Sequence, residues 1–361
     1  MENIYSVIMA GGIGSRFWPV STSKYPKQFH DILGTGETLI QQTFRRLKKI
    51  SAPERILVVT HRNYRSLVLE QLPEIPEENV ILEPARRNTA PCITYAAFRI
   101  AATDPEGIML VAPSDHLITN EDEFARVSRL AAEKAQSSRK LFTLGIKPHR
   151  PDTGYGYIQF IDLKEEPGSE VKKVKTFTEK PDEQLAREFI DSGDFLWNSG
   201  IFIWSIKTFM LEINEHLHDL YTTFESGKEH FGQASEKEFL EEVYPSCDNE
   251  SIDYGLMEKS GHVYVIPSDF GWSDLGTWGS LHTHVELDED NNAKLNEHIM
   301  SFDTRNSIIK IPKDKLAVVE GLDGYIVVDE EDALLICKME NEQHIKAYVS
   351  EIKIRYGDRY L

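Results

Sequence analysis

The sequence predicts an α/β protein, a mixed and mostly parallel sheet flanked by helices, with a small all-β domain at the C-terminal end. Three observations carry that expectation. From residue 4 to about residue 145, short apolar runs alternate with longer amphipathic ones, the pattern of parallel strands joined by covering helices. The apolar run 107–111 leads into Ala112-Pro113-Ser114-Asp115-His116, so Asp115 stands at the carboxyl end of a strand, where open α/β sheets bind ligands. Beyond residue 285, short strand-like runs recur at close intervals. The layout of the larger part is Rossmann-like.

The elements follow in order. Residues 4–9 form the first strand, and the 28-residue stretch 10–37 after it is too long and too aromatic for a linker, which marks it as functional. Thr38 then caps a helix whose Ile40, Phe44 and Leu47 recur at helical spacing. Residues 55–60 and 80–82 read as strands, each trailed by a helical stretch. Asn88 occupies an N-cap position, Pro91 falls in the first turn, and Ile93, Ala97 and Ile100 form the buried stripe of the helix. After Thr143 the pattern becomes hairpin-rich, with strands at 155–161, 171–177 and 202–204; Asn198-Ser199-Gly200 has the composition of a hairpin turn, and 251–259 reads as a plain capped helix. The acidic, asparagine-rich stretch 286–292 marks a boundary, which gives domains at 1–285 and 286–361. In the second, runs at 307–311, 316–319, 324–328 and 333–337 are the strands of a solenoid or a sandwich.

Composition excludes several function classes. A formal net charge of -19 repels nucleic acid and anionic membranes, and no basic stripe offsets it. Cys92, Cys247 and Cys337 are odd in number and widely spaced, which fits neither a disulfide framework nor a zinc motif and points to a reducing compartment. The apolar run 7–10 is too short for a signal-peptide core, and no run of about 18 apolar residues occurs. A soluble, cytoplasmic protein is expected. The histidines are scattered, and His282 with His284 would face apart on a helix, a poor metal pair.

The chemistry concentrates in Gly11-Gly12-Ile13-Gly14-Ser15-Arg16-Phe17-Trp18-Pro19, directly after the first strand and followed by Lys24, Lys27 and Gln28. Glycines let backbone N–H groups approach a phosphate closely, and Arg16 and Lys27 supply charge to oxygens that gain it during transfer. Residues 3–30 contain no Asp or Glu, although the chain's acidic content would place about five there by chance. An acid-free basic loop in so acidic a protein is an anion site. A Rossmann fingerprint would need glycine where Phe17 stands, and a P-loop would need Gly-Lys-Ser/Thr, so neither applies and an NAD-linked dehydrogenase is excluded.

This string resembles the signature of the sugar-phosphate nucleotidyltransferases, and its Arg-Phe-Trp-Pro and Pro-Lys-Gln-Phe forms are similar to those of bacterial mannose-1-phosphate guanylyltransferases. The likeness continues through the segments 83–91, 113–116, 154–158, 177–181, 197–200 and 272–274, across nearly all of residues 1–285. It implies a type A nucleotidyltransferase fold and the transfer of GMP from GTP to mannose 1-phosphate, with Mg²⁺ as cofactor.

The resemblance also implies roles. Ala10, Gly11, Gly12, Gly14, Ser15 and Arg16 hold the nucleotide's phosphates, with Asn88, Thr89 and Ala90 near the base. Arg16 and Lys27 meet the leaving pyrophosphate, Asp115 and Asp274 hold the metal, and Lys180 meets the sugar phosphate. Tyr155, Gly156, Glu179, Asn198 and Gly200 line the sugar pocket, and Asp253 is a further candidate there. Mg²⁺ takes one or two carboxylates and fills its other positions with water and phosphate oxygens, which suits an Asp pair. Longer relatives carry a fused isomerase domain, for which 361 residues leave no room, so the C-terminal part is expected to serve self-association, as a homodimer. The rival expectations are another sugar phosphate or nucleotide, and a non-catalytic nucleotide-sugar sensor.

Overall fold

The computed structural model describes residues 3–163 and 168–361. The chain forms two compact units: one from the residues up to Gly11, Thr43–Ser114 and Ile118–Trp272, the other from Gly12–Gln42, Asp115–Leu117 and Ser273–Leu361. The composition break at 286–292 therefore lies inside the second unit. It is not a structural seam there, because Trp278 and Leu281 share one apolar core with Ala293, Ile308 and Ile326.

The first unit is built on nine strands: β1 (Ile4–Met9), β2 (Ile56–His61), β3 (Val80–Glu83), β4 (Ile108–Pro113), β5 (Leu141–Ile146), β6 (Gly156–Ile161), β7 (Lys172–Glu179), β8 (Phe195–Ser205) and β9 (Val263–Ser268), in the order β3-β2-β1-β4-β8-β5-β9-β7-β6. β1 is parallel to β2 and β4, and β2 to β3. β8 then runs antiparallel to both β4 and β5. The chain leaves β1 toward β2 on one side and reaches β4 on the other, so the carboxyl ends of β1 and β4 form a topological switch point, the place where α/β sheets take ligands. Gly11 and Ser114 lie just beyond those ends.

Strands buried on both faces need near-continuous apolar runs, and β4 is buried from Ile108 to Ala112 for that reason. The helix Thr89–Ala101 packs Ile93, Ala97 and Ile100 into the main core with Val59 and Val111, as its stripe predicts. Phe202 and Trp204 of β8 stack at 5.7 Å in the same core. Each such side chain contributes about 1.5–3 kcal/mol on burial. The structure corrects one reading here: Asn198-Ser199-Gly200 is not a turn but the middle of the 11-residue strand β8. The turn-like composition has a cause, since Gly200 has φ +68° and the pairing with β5 shifts register between Thr143 and Gly145. A bulge uses turn residues within a strand, and it re-aims the side chains beside it.

In the second unit, Ala293–Lys294, Ile308–Lys310 and Tyr325–Glu330 pair in parallel, with Ala333–Lys338 closing antiparallel, and Ile299–Phe302 pairs in parallel with Ala317–Glu320. Successive parallel rungs make a solenoid rather than a sandwich. The unit is β-rich but not all-β: Ile345–Tyr356 is a helix whose Ile345, Val349 and Ile352, at helical spacing, join the core. That core also takes Phe17, Trp18, Val20, Ile32 and Leu39 from the long loop after β1.

Candidate active site

In the second unit the loop is shaped by Gly14, whose φ of +75° opens a single 3-10 turn, Ser15–Phe17. A Cβ at Gly14 would stand 2.5 Å from the Lys27 Cβ, so glycine is required both by the backbone and by the lysine beside it. The Lys27 amide donates to Ile13 O at 3.1 Å, and the Gln28 side chain donates to Gly12 O at 3.0 Å, which closes the loop on itself.

Lys27 is 2% exposed. Its ammonium donates to Asp115 Oδ2 at 2.9 Å and to the Asp274 main-chain oxygen at 3.0 Å, and lies 5.3 Å from the centre of the Phe17 ring. One side chain thus gathers both candidate metal residues. Burial would raise the Asp115 carboxyl, but Lys27 and His116 outweigh it and hold the group below its ordinary value. Asp274 Oδ1 accepts from the Gly276 amide at 2.9 Å. Arg16 Nε donates to Gln343 Oε1 at 2.9 Å.

The donor set fits Mg²⁺. It is the Asp115 carboxylate on the Lys27 ammonium and the carboxylate of Asp274, whose main-chain oxygen accepts from the same ammonium, all hard oxygen, and Mg²⁺ takes few protein ligands and keeps waters. Among the described residues no group of three or more His, Cys, Asp or Glu forms a cage that would suit a more fully coordinated metal.

In the first unit, Ala10 is buried and tied to β2 through its amide, which donates to Val59 O at 2.8 Å. A Cβ on Gly11 would come within 2.9 Å of Glu83 Oε2. Glu83 closes β3 and is 4% exposed; it accepts from the Tyr244 hydroxyl, and burial, against the pull of Tyr244 and Arg86, pushes its carboxyl up to about 7. Asn88 caps the next helix by accepting from the Thr89 amide at 2.9 Å, while Ala90 N donates to Glu250 O and Ile252 N donates to Thr89 Oγ1.

The residues expected around the sugar also come together in the first unit. Glu179 Oε1 fills the space a Cβ would need at Gly156, and Glu179 Oε2 accepts from Lys180 Nζ at 2.8 Å. Burial works against the Lys180 charge, yet Glu179 beside it raises its affinity for the proton. Asn198 Oδ1 accepts from the Gly200 amide at 3.2 Å, and its Nδ2 donates to Asp253 Oδ1 at 2.7 Å. Asp253 opens a wide π turn, Asp253–Met257, not the plain helix its sequence suggests. Burial and Glu179 push its carboxyl up to about 6. Tyr155 sits edge-on to Trp197 and Trp272, at 5.0 and 5.2 Å.

Backbone strain marks the same segments. Among the described residues, the non-glycine residues with positive φ are Asn88, Lys180, Leu275, Asn291, Asp303 and Asn306, of which Lys180 and Leu275 alone lack the short amide or acid side chain that tolerates it. One carries the ammonium beside Glu179, and the other follows Asp274. Such strain persists where surrounding contacts over-determine it, characteristically at functional sites.

Residues 5–291 match the family model described as nucleotidyl transferase. The chain belongs to that family. As a nucleotidyl transferase it is 37% identical over 360 residues to mannose-1-phosphate guanylyltransferase ManC of Salmonella typhimurium, covering 97% of this chain and 73% of that protein. It is 35% identical over 374 residues to mannose-1-phosphate guanylyltransferase 2 of Escherichia coli O157:H7, covering 99% and 75%. Residues 296–352 match the MannoseP isomerase/GMP-like beta-helix domain, in keeping with the parallel rungs. Among solved structures, a Thermus thermophilus protein described as mannose-1-phosphate geranyltransferase superposes with a TM-score of 0.85 at 29% identity, covering 97% of this chain and 99% of that one. Another, described as mannose-6-phosphate isomerase from Helicobacter pylori, gives 0.60 at 28% identity, covering 75% and 99%.

Two residues to which the sequence assigned no role stand out in the geometry. Glu83 had a signal, since it follows Val80-Ile81-Leu82 at the alternation position that shares a face with buried Ile81. Gln343, far along the chain in a polar stretch, had none.

Proposed function

We infer that this nucleotidyl transferase is a mannose-1-phosphate guanylyltransferase, which transfers GMP from GTP to mannose 1-phosphate and releases pyrophosphate. The observation that carries the reading is the assembly of Lys27, Asp115 and Asp274 around one buried ammonium, in a chain about 35–37% identical over nearly its whole length to proteins of that name. A sensor would have no need to bury a lysine against an acid of the proposed metal pair.

The reaction is a single in-line displacement. A phosphate oxygen of mannose 1-phosphate forms a bond to the α-phosphorus of GTP as the bond to pyrophosphate breaks. The nucleophile is already anionic, so no general base is needed, and catalysis comes from positioning and charge. Arg16 and Lys27 take up the charge that develops on pyrophosphate, and Lys180 meets the sugar phosphate, with Tyr155, Gly156, Glu179, Asn198 and Gly200 around the sugar. Gly11, Gly12, Gly14 and Ser15 offer main-chain donors to the nucleotide. When held by Asp115 and Asp274, Mg²⁺ supplies charge neutralisation to the phosphate oxygens.

Guanine is read by Glu83. Its carboxylate lies beside Gly11 at the carboxyl end of β3, in the same unit as Asn88, Thr89 and Ala90. Guanine presents two adjacent donors, N1–H and N2–H₂, from which an ionised carboxylate can accept together, whereas adenine has the acceptor N1 and only a C–H at those positions.

The C-terminal rungs serve self-association. Met300 and Val318 are directly paired and both point outward, 49% and 60% exposed, with Phe302 and Leu316 beside them at 51% and 64%. An apolar stripe of this kind on a charged protein marks a contact surface, and a two-fold pairing with a second copy buries it on both partners. Among the described residues no helix is long and apolar enough to cross a membrane.

Three outcomes are expected. In pyrophosphate-release assays that cross GTP, ATP, UTP and dTTP with mannose 1-phosphate and glucose 1-phosphate, GTP with mannose 1-phosphate is preferred and EDTA abolishes release; silence in every well from folded, nucleotide-binding protein would favour the sensor. The free-enzyme Glu83 carboxyl is neutral below about 7 and ionised above it, so kcat/KM for GTP rises as pH climbs through that value. Glu83→Gln loses this limb and about 10²-fold in kcat/KM for GTP; a variant with the wild-type profile removes Glu83 from base reading. Light scattering finds a dimer that Met300→Glu/Val318→Glu reduces to monomer, and an unchanged mass would place the contact elsewhere.

A further inference from the structure

The second unit connects its C-terminal segment to the loop that carries Arg16. Arg16 Nε donates to Gln343 Oε1 at 2.9 Å. A guanidinium has five N–H donors in a rigid fork, and with Nε engaged the remaining four belong to the two Nη groups, which have no hydrogen-bond partner among the described residues. Fixing Nε fixes the plane of the fork. Gln343 belongs to the turn Met339–His344, and its neighbour Glu342 accepts from the Gly279 amide at 2.7 Å, in the first turn of the helix Trp278–His282 that follows Asp274.

The same short turn therefore holds the arginine loop by one side chain and the chain after Asp274 by the next. Further contacts secure it. Trp18 Nε1 donates to Tyr360 O at 2.8 Å and Ser23 Oγ to Leu361 O at 3.0 Å, while Ile345, directly after the turn, is fully buried in the core shared with Phe17 and Trp18. Phe17, next to Arg16, packs on Trp278 with ring centres 4.8 Å apart. An arginine on a glycine-flanked loop loses rotamer freedom only if something outside the loop restrains it, and Gln343 supplies that restraint.

We propose that Gln343 is a positioning residue for Arg16, so that the C-terminal β-rich segment takes part in nucleotidyl transfer by orienting the arginine that meets pyrophosphate, in addition to serving self-association. This rests on the reading of Arg16 given above. Gln343 touches no reacting atom; it acts through the guanidinium plane, and a misdirected fork weakens the stabilisation of the departing pyrophosphate more than it weakens binding of the sugar phosphate.

The test is a double-mutant cycle on the full-length protein, with Gln343→Ala, Arg16→Ala and the combined variant, measuring kcat and KM for GTP and for mannose 1-phosphate, with melting temperature as the control for folding. Gln343→Ala is expected to lower kcat/KM for GTP by about 10-fold, to leave KM for mannose 1-phosphate and the melting temperature unchanged, and to have no further effect once Arg16 is alanine. A Gln343→Ala enzyme at the wild-type rate beside a crippled Arg16→Ala enzyme overturns the positioning role alone. Losses that multiply in the combined variant, or that track a lowered melting temperature, also overturn it, since they describe a structural role. Arg16→Ala at the wild-type rate overturns both the positioning and the assignment of Arg16 to pyrophosphate.

Discussion

The ion pair between Lys27 and Asp115 is the constraint on which the rest of the second unit depends. A buried ammonium costs several kcal/mol in lost hydration unless it is paired and hydrogen-bonded. Lys27 is compensated by a carboxylate 88 residues away and by a main-chain oxygen 247 residues away. Satisfying one charge thus fixes three distant segments against each other: the glycine loop, the chain after β4, and the strained turn at Leu275. Gly14 follows from the same requirement, because a larger residue there would displace the lysine.

Arg16, Lys27, Asp115 and Asp274 all belong to the unit that contains the parallel rungs, whereas Ala10, Gly11, Glu83, Asn88, Thr89, Ala90 and the residues proposed for the sugar, from Tyr155 to Asp253, belong to the other. The rungs, through Ile308 and Ile326, and the C-terminal helix, through Ile345, form the core on which Phe17 and Trp18 of the glycine loop rest.

Much of this was legible in the sequence because the signals are local. The strand 4–9, the Asn88 cap and the stripe of its helix follow from periodicity and capping, and the acid-free window 3–30 marks the anion loop by composition. What escaped depends on partners far away in the chain. The bulge that puts Asn198 inside β8 arises from register with β5, the π turn at Asp253 is held against Asn198, and Gln343 acquires its meaning only when Arg16 lies beside it. The C-terminal helix was lost for a different reason: Ile345, Val349 and Ile352 carry a weak stripe, with Ile354 and Tyr356 exposed at 79% and 60% obscuring the period.

The central claim is that the Lys27 ammonium balances the charge of the Asp115 carboxylate, one of the two proposed for the metal, before substrates arrive. Binding of Mn²⁺, as a paramagnetic stand-in for Mg²⁺, to nucleotide-free wild-type protein and to Lys27→Met tests it most directly. Removing the ammonium leaves Asp115 uncompensated, so the variant should bind the ion several-fold more tightly than wild type even as it loses turnover. Equal or weaker binding by a folded variant would contradict the account, because Lys27 would then not be the group that holds the Asp115 carboxylate in balance.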